Sequence, residues 1–157
     1  MSRDALRTYL NDHLAGSVMA VELAERAARE NEGAPIAARL SRVLEEIRED
    51  QALVKGLIER VGAGQNPLKK AGAWLVEKAG RWKLGGTDEP GELSRLEVLE
   101  MLAMGIHGKR ALWRALHVVV SRYEELRGLD LGLLERRATE QHDEVEAMRL
   151  EAAKAAL

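Results

Sequence analysis

Apolar residues recur at intervals of three and four along four long stretches of the chain, the spacing of amphipathic helices. In the first stretch Leu6, Tyr9, Leu10, His13, Gly16, Ser17, Ala20, Ala24 and Ala27 share one face. That pattern predicts a helix from a Ser2 or Asp4 cap to about Glu30. The small residues of its second half let a neighbour come close, and Asn31, Gly33 and Pro35 stop it and start the next. The second stretch runs from about Pro35 to Val61 on the stripe Ile36, Leu40, Val43, Leu44, Ile47, Gln51, Val54, Ile58 and Val61. Asp50 lies on its flank, Glu45, Arg48 and Glu49 read as solvated, and Gly62, Gly64, Asn66 and Pro67 end it.

The third stretch, Glu97 to Leu126, holds no turn sequence and places Leu99, Leu102, Ala103, Ile106, Arg110, Trp113, His117 and Val120 on one face. Its other side carries Met101, Met104, Leu112, Leu116 and Val119, so this helix is expected to be covered on more than one side. The fourth follows a break at Gly128 and runs from about Asp130 to the C-terminus. Leu131, Leu134, Ala138, Gln141, Val145, Met148 and Ala152 form its stripe, with His142 and Arg149 at the margins.

The short link between the first two helices implies an antiparallel pair. The link between the second and third, about Gly62 to Glu92, is different. Lys69 to Lys83 suggests a shorter helix bracketed by Trp74 and Trp82, with the basic cluster Lys69, Lys70, Lys78, Arg81 and Lys83 on its wet side. A segment of this length is too long for a hairpin and long enough to travel the length of a bundle. The expected fold is therefore all-α: residues 1–157 as one four-helix up-down bundle with a long, partly helical crossover between helices two and three.

Composition agrees, with abundant Ala, Leu, Glu and Arg, three prolines and no phenylalanine. A net charge of −2 provides no global field for nucleic acid or an anionic membrane. Without cysteine there is no disulfide framework and no thiolate metal site. Val98 to Val120 has membrane-spanning length, but Glu100, His107, Lys109, Arg110, Arg114 and His117 make insertion costly. The start, MSRDALRTYLNDH, has no signal-peptide pattern, so the expectation is a cytoplasmic protein. A Ser-His-Asp order, a Gly-rich phosphate loop and His-Glu-x-x-His are all missing, which removes the common hydrolase and nucleotide signals.

What chemistry remains lies on the inward faces. If helices two and three run parallel, Gln51 and Arg110 each fall about sixteen residues into their helices, and His13 about eighteen before the end of its own. These residues mark a mid-bundle layer, with Gln141, His142 and His117 about a turn or more away. The expected buried polar set is His13, Asp50, Gln51, Arg110, His117, Gln141 and His142. Arg110 is expected to pair with Asp50 in fork geometry, and His13 to be satisfied by Gln51.

Two hairpins joined by a long crossover, with a polar layer at mid-height, resemble the ferritin-like superfamily over nearly the whole chain. The resemblance implies a dinuclear iron or manganese centre built from two Glu and two Glu-x-x-His pairs. This sequence departs from that pattern at every helix. Helix one offers Ser17 or Ala20, helix two has Glu46 and Glu49 without a histidine, helix three presents Arg110, and Thr139 stands three residues before His142. An inward guanidinium adds positive charge where a metal centre needs negative charge. The expectation is a ferritin-like protein that has lost its metal site, binds no cofactor and acts through an interaction surface or small-ligand cleft. The alternative is a metal-binding protein or oxidoreductase holding iron or manganese on His13, Asp50, Glu100 and His142. The outward apolar positions of helix three lead to an expected homodimer.

Overall fold

Periodic apolar spacing becomes four long helices in the computed structural model, which describes residues 3–62 and 91–157. Helix α1 spans Arg3–Glu30, α2 Pro35–Val61, α3 Glu92–Val119 and α4 Leu131–Ala156, and the described residues contain no strand. The expected crossover helix, Lys69 to Lys83 with Trp74 and Trp82, lies outside the described residues.

Local chemistry sets the helix ends. Asn31 donates from its side-chain amide to the Ala27 carbonyl at 2.7 Å, Gly33 takes a left-handed φ of 82°, and Pro35 opens α2 where a missing N–H costs nothing. Helix α3 starts five residues before the expected Glu97, because Ser94 and Leu96 are already buried in its first turns. It also ends sooner than expected. After Val119 the chain passes through two short 3-10 turns, Val120–Arg122 and Glu124–Leu126, hinged at Tyr123 with extended backbone (φ −132°, ψ 115°). The β-branched run Val118-Val119-Val120 weakens the helix there, and the fully buried Leu126 anchors the turn that follows. Gly128 supplies the second left-handed φ, and the Asp130 carboxylate accepts from the Leu133 N–H at 2.8 Å to cap α4.

Helix α1 packs against α2 and α3, and α4 packs mainly against α3 with a lighter contact to α2. The core divides into two apolar clusters. One joins the C-terminal halves of α1 and α4 to the N-terminal halves of α2 and α3, with Ala24, Leu40, Leu99, Leu102 and Met148 at its centre. The other joins the opposite halves around Leu10, Leu57, Leu112, Trp113 and Leu116. Fully burying each of these large side chains contributes roughly 1.5–3 kcal/mol. The small stripe on α1 matters here: Ala20 sits opposite Gly105 of α3, close enough that a side chain added at Gly105 would touch it at 3.7 Å. Among the described residues no helix is long and apolar enough to cross a membrane.

Candidate functional site

Between the two apolar clusters all four helices contribute polar side chains: Ser17 from α1, Asp50 and Gln51 from α2, Lys109 from α3, and Arg137 and Gln141 from α4. Asp50 is the hub. Its side chain is 3% exposed, and each carboxylate oxygen accepts from a cation. Lys109 Nζ donates to Oδ2 at 2.5 Å and Arg137 donates to Oδ1 at 2.6 Å. Lys109 also donates to Gln141 Oε1. Arg137 reaches outward as well, to the Glu46 carbonyl at 3.1 Å and to Glu49 at 2.9 Å.

The charges balance only when the exposed Glu49 is included, since Asp50 alone faces two cations. Taking the Lys109 ammonium out of water pushes its pKa down, and the attraction of Asp50 offsets this only in part, with Arg137 adding repulsion. Two buried donors, Arg137 Nε and Gln141 Nε2, lack a partner among the described residues. The layer therefore carries a desolvation cost, and it is held in place by the mutual pairing of its charges.

Beside the layer on the α1 side is a cavity of about 40 Å³ walled by His13, Ser17, Gln51, Asp50, Lys109 and apolar neighbours such as Ile106. Space of that size admits a few water molecules; organic ligands need roughly ten times more. Gln51 donates to Ser17 Oγ at 3.0 Å, and Ser17 donates to the Leu14 carbonyl at 2.6 Å. His13 is half-buried, with its ring edge-on to Tyr9 at 4.7 Å between centres. Burial lowers its pKa, against a smaller upward pull from Asp12.

Not every expected residue belongs to this layer. Asp50, Gln51 and Gln141 lie in it and His13 borders it, although Gln51 turns to Ser17 rather than to His13. Arg110 is not the partner of Asp50. The adjacent Lys109 takes that role, because it falls on the seam of the buried Leu102, Ile106, Trp113 and Leu116, and one further residue turns Arg110 about 100° off it. His117 is exposed: the buried positions of that end of α3 are Leu112, Trp113 and Leu116, and the next residue turns off their face. His142 is half-exposed in an outer groove between α3 and α4, facing His107. Arg137 was not anticipated; it stands one turn before Gln141 on the same face, and that spacing was the available signal.

The residues do not fit a ferritin-like metal centre. Among the described residues one buried carboxylate occupies the layer, and a lysine and an arginine, one on each of its oxygens, put positive charge where a metal ion would sit. The alternative set of His13, Asp50, Glu100 and His142 is scattered: Asp50 is inside, His13 lines the cavity, Glu100 is exposed against Arg149, and His142 is on the groove. Among the described residues no three His, Asp or Glu side chains are gathered so as to hold a metal ion. In comparisons with known proteins, the chain matches no family model, no curated protein and no solved structure.

Proposed function

We propose that this chain is a ferritin-like helical bundle in which a salt-bridged layer stands where metal-binding members of that class place their ligands. In this reading it works as an interaction protein rather than a di-iron enzyme. The connectivity is supported by the way the helix halves meet: the N-terminal halves of α2 and α3 share one cluster with the C-terminal halves of α1 and α4. That arrangement has α2 and α3 running the same way, as a long crossover between them requires.

The observation that carries the reading is Asp50 with a lysine on one oxygen and an arginine on the other. With a fixed cation bonded to each oxygen, Asp50 lies in positive surroundings that oppose an incoming metal ion. The neighbouring cavity is too small to seat a substrate. In this reading the action is placed at the surface. Leu93, Met104, Val118, Leu133 and Leu150 are exposed there along α3 and α4, and a second copy of the chain is the partner we favour.

Two measurements test this. Protein incubated with ferrous iron under anaerobic conditions and then desalted should retain no iron that depends on Asp50. Near-stoichiometric iron in the wild type that disappears in Asp50→Asn would overturn the reading. Sedimentation equilibrium should give twice the chain mass, and a monomer at all concentrations would remove the homodimer.

A further inference from the structure

The outer groove between α3 and α4 is lined by Glu100, Met104, His107, His142, Glu146 and Arg149, and the layer uses none of them. His107 and His142 face each other across the helix pair, with ring centres 6.1 Å apart and planes at 64°. Two imidazoles on one metal ion, each bonded at about 2 Å, have ring centres roughly 5–6 Å apart, so a small ring rotation closes the difference. His142 Nδ1 lies 3.4 Å from the Asp143 carboxylate. A carboxylate on that nitrogen favours the tautomer with hydrogen on Nδ1 and leaves the Nε2 lone pair available, as at metal-bound histidines.

Glu146 follows His142 by one helical turn, and the two are close enough that a charge on His142 would act on its carboxylate. Arg149 holds that carboxylate with two hydrogen bonds of 2.7 Å each and reaches Glu100 at 3.3 Å. The groove thus presents two imidazoles, with Glu146 drawn to Arg149, and as they stand no three ligand side chains are gathered there among the described residues. We propose that it binds one transition-metal ion of the imidazole-preferring class, such as Zn²⁺ or Ni²⁺, through His107 and His142, with Glu146 as third ligand when Arg149 releases it. The release is cheap. The Arg149–Glu146 pair is partly solvated, and Arg149 keeps Glu100 as a partner.

The test is calorimetric titration of the full chain with Zn²⁺ at a pH where imidazole is neutral, alongside spectra of the histidine side chains. Binding should saturate at one ion per chain and move the His107 and His142 signals while those of His13 and His117 stay put. His107→Gln and His142→Gln should each weaken it roughly tenfold or more, their folding checked by circular dichroism. Arg149→Gln should tighten binding several-fold, and adding Glu146→Gln to that variant should reverse the gain. Asp50→Asn, checked by circular dichroism to be folded at the temperature used, should leave it unchanged, which separates this site from the buried layer. Absence of saturable binding, equal affinity in the histidine variants, or loss in the folded Asp50→Asn chain would each overturn the site. Unchanged affinity in Arg149→Gln would overturn the role of Glu146.

Discussion

Asp50 and Glu146 are both carboxylates bonded by cationic nitrogens at each oxygen, Asp50 by two side chains and Glu146 by the single guanidinium of Arg149, and their surroundings are opposite. The Asp50 side chain is 3% exposed, between α2, α3 and α4, and its partners come from two other helices. Glu146 is 32% exposed, and its main partner, Arg149, sits three residues away on the same helix. In the layer, burial is the dominant influence on Lys109 and lowers its pKa even with Asp50 in contact. In the groove the Arg149 hydrogen bonds dominate and lower the Glu146 pKa. Carboxylate–cation pairing is therefore expected to be structural where water is excluded and exchangeable where water enters.

The largest break in that comparison should come from Asp50→Ala, which strands Lys109 and Arg137. A loss of roughly 3–5 kcal/mol is expected in urea unfolding, the usual cost of an uncompensated buried charge. Replacing the whole set, Asp50→Leu with Lys109→Met and Arg137→Met, should recover most of that loss, because no charge is left unpaired. A triple variant no more stable than Asp50→Ala would trace the loss to packing.

A smaller effect is expected at His13, whose pKa lies below its ordinary value of 6.5 because burial disfavours the charged ring. The unfolded chain then takes up the proton first. The histidine contributes no penalty above about pH 6.5, and stability falls as the pH drops below that value. His13→Gln should flatten this part of the pH profile of the denaturant midpoint. The smallest effect belongs to the groove, where Arg149→Gln should leave the urea midpoint unchanged. A clear shift there would erase the distinction between groove and layer.

Much of the helical architecture was legible in the spacing of leucines, isoleucines and alanines, because periodicity records which face is covered. The ends of α3 were less so. Leu93, Ser94 and Leu96 extend it backward without a capping side chain to mark its start, and the valine run breaks it at a place with no glycine or proline. Of the layer, Asp50, Gln51 and Gln141 were visible as polar residues on or beside apolar stripes. Lys109 and Arg137 were missed because basic side chains read as solvated, although Lys109 stands three after Ile106 and four before Trp113, and Arg137 one turn before Gln141. Arg110 drew attention because its Cα lies beside the apolar face, yet a position within one residue of the right one is enough to misassign a pair.

The most direct test of the layer as a self-paired structural network is a double-mutant cycle on Asp50→Asn and Lys109→Met, measured by urea unfolding. The two side chains touch at 2.5 Å with Lys109 only 14% exposed, so their coupling should exceed the ~0.5 kcal/mol within which independent sites add. A double variant whose loss equals the sum of the single losses would show that the two charges do not stabilise each other, and would contradict the account.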